Sequence, residues 1–222
     1  FFVATHSRSN YTITHLTLAQ MFNYGSGVDI ATGADGTQRT LWRHRINEGL
    51  FFADIHGLGY EVVAISPAFE HVALRQADRF IDTGQLNEFE WAVAQVTGVR
   101  PIVEALLPEL PADLHRARVV DAYRITEAVA GESIARPRFV FTHIVGPHSP
   151  QVFEADGGAV PLRGLALPYD DSLEATQLGM SEYTRRLEGQ LTFLNARTLG
   201  LVDRIVATDP LAVVVVFSDH GS

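Results

Sequence analysis

Val213-Val214-Val215-Val216-Phe217-Ser218-Asp219-His220-Gly221-Ser222 are the last ten residues of the chain. An unbroken β-branched run, with no polar residue at every second position, reads as a strand buried on both faces of a sheet. With the two residues before it, the strand is expected over 211–217. It runs straight into a carboxylate, an imidazole and a glycine. Ligands of open parallel sheets bind just beyond the carboxyl ends of the strands, so Asp219 and His220 lie where chemistry is expected.

Working outward, residues 1–5, 60–65 (YEVVAI) and 138–145 (RFVFTHIV) also read as strands. Helical patterns cover 14–22, 41–58 and 173–207. The middle, 69–131, reads as mostly helical with breaks at Pro101, Pro108 and Pro111, and 25–36 (GSGVDIATGADG) reads as a loop. Strands alternating with helices predict an α/β fold: a mostly parallel sheet sandwiched by helices through right-handed crossovers. No linker composition interrupts residues 1–222, which are expected to form a single α/β domain.

The 222 residues are 46% hydrophobic and 19% charged, an ordinary globular balance. A net charge of −9 argues against a general nucleic-acid binder, which needs a basic footprint. It leaves an anionic substrate open, because a bound cation inverts the local field. There is no cysteine, so thiolate metal sites and disulfides are excluded. No window approaches a membrane-spanning apolar run. The chain opens on Phe1-Phe2-Val3 without an initiator Met, and a piece of a longer protein, truncated at both ends, is expected.

Three polar groups fall after predicted strands. Asp219-His220 offers an oxygen and a nitrogen ligand suited to zinc or manganese; alternatively Asp219 caps a following helix and His220 lies at the surface. Residues 5–14 (THSRSNYTIT) place hydroxyls at a helix start, where an anion is favoured and a metal-activated hydroxyl becomes a nucleophile. The competing reading there is helix capping by Ser9, Asn10 or Thr12. His148 sits between Pro147 and Pro150, in a loop whose fixed φ angles hold the imidazole in place; it is otherwise a turn histidine. His143 falls inside the predicted strand and reads as a core or sheet-edge residue. His6, His15, His44, His56, His71 and His115 read as structural.

Ser9-Asn10-Tyr11 with Thr14 and Thr17-Leu18-Ala19, then His143 through Pro147-His148-Ser149-Pro150 and Phe153, then Ser218-Asp219-His220-Gly221 resemble, in order, the motifs of the sulfatase-like hydrolase/transferase family. This is a branch of the alkaline phosphatase superfamily, and the resemblance is to its bacterial membrane-anchored members, related to phosphoethanolamine and phosphoglycerol transferases. It implies an alkaline-phosphatase-like fold and a divalent metal ion (zinc or manganese, with calcium or magnesium as alternatives). By the same resemblance Thr14, Asp219 and His220 hold that metal, Thr14 is the nucleophile, and His148 contacts the substrate's anionic group or a second metal. The implied substrates are phosphate or sulfate esters. A domain facing outward from a bacterial inner membrane is implied, tethered by segments outside these residues.

The chain departs from the family pattern in two respects. The family's first acidic metal ligand lies upstream of the nucleophile, before Phe1, so weak metal binding and little turnover are expected of these residues alone. A formylglycine-type sulfatase needs Cys or Ser in a C/S-x-P-x-R setting, whereas Thr14 stands here, which favours phosphoryl over sulfuryl chemistry. Two other readings remain open at this stage: a phosphodiesterase or phosphonate hydrolase of the same superfamily, and a catalytically silent interaction domain.

Overall fold

Glu61–Ile65 is the central strand of a three-stranded parallel sheet, and the rest of the chain is arranged around it. The structure is a computed structural model describing residues 2–25, 36–67, 69–86, 88–133, 135–162 and 171–220. Strand β1 (Glu61–Ile65) is flanked by β2 (Arg79–Ile81) and β3 (Arg138–Thr142), with Val63 opposite Arg79 and Val140. From Val62 to Ile65 every residue of β1 is buried, the pattern of a strand covered on both faces.

The register divides the coverage. Val62 and Ala64 pair with Phe139 and Phe141, so these four side chains share one face. Helices α1 (Thr14–Met21), α2 (Gly36–Asn47) and α3 (Leu50–Gly57) close that face with Leu16, Leu18, Phe22, Trp42, Ile46 and Phe52. The opposite face meets α6 (Leu110–Ala130), where the Thr126 and Thr142 hydroxyls are 2.7 Å apart. Helix α6 packs in turn on α8 (Met180–Thr208) through Val119, Tyr123 and Leu194. Helices α4 (Glu88–Val96), α5 (Arg100–Leu106) and α7 (Asp171–Leu178) complete the order.

At the amino edge of the sheet, one ionic cluster ties the first residues of all three strands. Arg138 donates to Glu61 at 2.8 Å and to Glu132 at 3.0 Å, and Glu132 also accepts from Arg79 at 2.5 and 2.6 Å. Among the described residues the opposite, carboxyl edge carries no such ionic cluster, and the candidate site lies there.

The parallel α/β arrangement holds as expected, whereas several elements differ from the sequence reading. Residues 2–5 form no strand, and Phe2 is 92% exposed: a short apolar run without a partner strand gains nothing from extension. Segment 211–217 is likewise no strand. Val213 is 89% and Val215 73% exposed, and no strand among the described residues pairs with the outer edge of β3. Ala212 and Val214 are half-buried between exposed neighbours, the period-two pattern of an extended chain. Valine favours that local backbone, but a strand also requires ladder hydrogen bonds from elsewhere in the chain.

β3 stops at Thr142, which places His143 just past its end. β2 escapes notice in the sequence because three residues cannot display a period. The expected helix 41–58 is two helices, α2 and α3, broken at Glu48-Gly49. A Cβ on Gly49 would lie 2.6 Å from the Phe22 carbonyl oxygen, so the chain can turn there only without a side chain. The expected helix 173–207 is α7 and α8, parted at Gly179, whose φ of 79° belongs to glycine. Pro101 and Pro111 open α5 and α6 instead of only ending the helices before them. Most of the expected 25–36 loop lies outside the described residues.

Candidate active site at the carboxyl edge of the sheet

Helix α1 begins at Thr14 on an N-cap, Ile13, with extended backbone (φ −133°, ψ 123°) and no side-chain cap. The polar residues that could have capped it are engaged otherwise. Ser9 Oγ donates to the Tyr11 carbonyl at 2.7 Å and lies 3.1 Å from Thr17 Oγ1, and Asn10 Nδ2 donates to Gln20 Oε1 at 2.9 Å. These bonds fold residues 9–13 back along α1. The Thr14 hydroxyl is thereby left to point away from its own helix.

Its neighbour comes from the far end of the chain. Thr14 Oγ1 lies 3.2 Å from His220 Nε2, across a sequence separation of 206. His220 Nε2 lies in turn 3.4 Å from Asp219 Oδ2, and each of these two side chains is 20% exposed. Asp219 Oδ2 is buried and has no hydrogen-bond partner among the described residues. A buried carboxylate oxygen left unbonded is costly, which makes it a position where a cation fits. Donors at about 2.1 Å around one tetrahedral ion are roughly 3.4 Å apart, close to the spacing of this hydroxyl, imidazole and carboxylate. The Thr14–His220 and His220–Asp219 separations match that spacing, as two edges of a ligand set around a divalent ion would. Among the described residues, no three His, Asp or Glu side chains are arranged to hold a metal. The convergent set is two such residues and a hydroxyl.

The sequence reading passed over His143. Because β3 ends one residue earlier, this imidazole stands at the carboxyl rim, not within the sheet. Its Nδ1 is buried without a hydrogen-bond partner among the described residues. Burial pushes its pKa down, Asp219 acts in the opposite sense, and His71 and His220 add to the depression. His143 thus shares its surroundings with Asp219, His220 and His71. The signal available in the sequence was its place after five strand-like residues, but the register alone could not say where the strand ends.

His71 belongs to a 3-10 turn, Glu70–Val72, in the segment that follows β1. Its ring meets that of His15 edge-on, with centroids 5.8 Å apart. His15 and His71, read as structural from the sequence, thus join the same rim. Of the remaining histidines, His44 pairs with Glu48, His56 pairs with Asp78, and His115 is buried on α6, where burial lowers its pKa to about 3.

His148 is held firmly, but not against these groups. Its Nδ1 lies 2.9 Å from the Ser149 carbonyl, and it makes no hydrogen bond or ion pair with Thr14, Asp219 or His220. What fixes its loop is Gln190, a buried side chain of α8. Gln190 Oε1 accepts from the amides of Val152 (2.8 Å) and Phe153 (3.3 Å), while Nε2 donates to the carbonyls of Pro147 (3.4 Å) and His148 (3.5 Å). Nothing in the sequence marked Gln190, because its four partners lie some 40 residues away.

No protein-family model matches the chain, and no curated protein or solved structure matches it either.

Proposed function

We propose that this chain is a metal-dependent hydrolase or transferase that transfers a phosphoryl group through Thr14, with the alkaline-phosphatase-like fold of the sulfatase-like hydrolases and transferases. The observation that carries this reading is the 3.2 Å approach of the Thr14 hydroxyl to His220, two residues from opposite ends of the sequence. A helix-capping threonine beside a surface histidine would not meet in this way.

Thr14, Asp219 and His220 would hold a divalent ion, zinc or manganese before calcium or magnesium, and that ion would lower the pKa of the hydroxyl. The first turn of α1 presents Thr14 Oγ1 to His220 Nε2 at 3.2 Å, and Asp219 Oδ2 stands 3.4 Å from that same nitrogen. In the first displacement the Thr14 oxygen forms a bond to phosphorus as the ester P–O bond breaks, and the departing alkoxide takes up the proton that Thr14 loses. In the second, water or an acceptor alcohol forms the new P–O bond as the Thr14 O–P bond breaks, and the proton it loses passes to the Thr14 oxygen. Both steps leave charge on the equatorial oxygens, so positioning and preorganised donors supply most of the rate. The absence of cysteine and the threonine at this position favour phosphate over sulfate esters. Membrane association, in this reading, comes from segments outside these residues; among the described residues no helix is long and apolar enough to cross a membrane.

Two measurements test the proposal. Brief reaction with 4-nitrophenyl phosphate in the presence of zinc or manganese, acid quench and peptide mass spectrometry should find a phosphoryl group on Thr14. Phosphate on another residue, or hydrolysis retained in Thr14→Ala, would overturn it. Calorimetric titration with zinc should show weak binding, because three donors fall short of the usual four. Asp219→Asn should weaken that binding further.

A further inference from the structure

We propose that His15 and His71 form an oxyanion-binding wall beside Thr14, which takes the non-bridging oxygens of a phosphate ester. The inference rests on the phosphoryl-transfer reading of the site and adds the residues that would recognise the group being transferred.

The placement comes from four separate pieces of chain. Thr14 and His15 are the first two residues of α1, and His71 lies on the 3-10 turn after β1. His143 follows β3, and Asp219-His220 follow the 211–217 run. The 3-10 turn packs against α1. His15 and His71 are both half-buried, so each keeps an accessible surface.

Their rings are held from more than one side. His71 has His15 at 5.8 Å (77° between planes) and Phe69 at 6.0 Å (67°), while His15 also has Trp42 at 6.4 Å. Aromatic packing of this kind fixes ring orientation before a ligand arrives. His71 is also near enough to His143 for their charges to interact. Each imidazole carries at least one N–H donor in any protonation state, and a tetrahedral oxyanion offers several acceptors. The positive end of the α1 dipole lies at the same place.

The test is a titration of the chain with inorganic phosphate, and separately with sulfate, followed through the imidazole nitrogen resonances. Phosphate should shift His15 and His71 saturably with one dissociation constant, in the wild type and equally in Thr14→Ala. His71→Phe, which preserves the edge contact with His15, should weaken phosphate binding about tenfold or more; His15→Gln is the second variant, with near-ultraviolet circular dichroism checking that each folds. Equal sulfate binding would make the wall a general oxyanion site, and tighter phosphate binding would make it phosphate-selective; either supports it. Absence of a saturable shift, shifts confined to His6, His44 or His56, or wild-type affinity in both variants overturns it. Phosphate binding with no phosphothreonine would refute only the nucleophile assignment, and the reverse result would refute only this wall.

Discussion

Thr14 occupies the first position of a helix whose cap it does not provide, and this frees its hydroxyl for the rim of the sheet. Removing that hydroxyl should therefore separate stability from chemistry. Thr14→Ala is expected to change unfolding free energy by less than about 1 kcal/mol, because no cap and no core contact is lost. Phosphoryl transfer should fall on the order of 10³-fold or more. Thermal unfolding alongside initial-rate kinetics reads both. A large stability loss with unchanged rate would show that the residue is structural after all.

Among the elements, the loop at 147–153 and the break between α2 and α3 each depend on one buried feature. Gln190 serves four backbone groups of the loop with one amide. Gln190→Leu leaves the amides of Val152 and Phe153 buried and unbonded, at an expected cost of about 2–4 kcal/mol in urea unfolding. Those two amides should also lose protection in hydrogen exchange, and a change below about 0.5 kcal/mol would show that water replaces the amide. At the helix break the constraint is steric. Gly49→Ala sets a Cβ against the Phe22 backbone, where no rotamer can relieve it, and about 1–3 kcal/mol should be lost. Unchanged melting of this variant would mean that α3 shifts freely against α1.

For the whole molecule, the two edges of the sheet differ in charge logic. The amino edge is closed by Arg79, Arg138, Glu61 and Glu132, with the Arg138 side chain only 10% exposed. Arg138→Met removes one partner and leaves Glu61 without its ion pair, for an expected loss of about 2–3 kcal/mol. The hydrogen bond from Arg79 holds the Glu132 carboxyl below its ordinary pKa, with Arg138 acting in the same direction. A carboxyl with a depressed folded pKa binds protons more readily when unfolded, so its contribution is complete at neutral pH and is lost as pH falls below about 5. Urea unfolding from pH 7 to 3 should show that loss, and Glu132→Gln should flatten it. An unchanged pH slope in Glu132→Gln would remove this cluster from the account.

Much of this was readable from the chain, in so far as it depends on local pattern. The run YEVVAI reads as a strand, and Glu61–Ile65 is β1. Thr14, Asp219 and His220 were named together by the resemblance alone, and the structure sets the Thr14 hydroxyl 3.2 Å from His220 Nε2. The rest was decided by contacts between segments far apart in sequence. Val213–Phe217 has the composition of a buried strand, yet burial and pairing are supplied by other segments, and composition cannot report whether they are there. His143 became a rim residue only when pairing with β1 ended β3 at Thr142. His71 and His15 meet only because the turn after β1 packs on α1, and Gln190 finds its four partners only because α8 crosses the loop after β3. Local sequence specifies backbone preference through short-range sterics and periodicity; which side chains share a cavity is set by long-range packing, which no window of sequence contains.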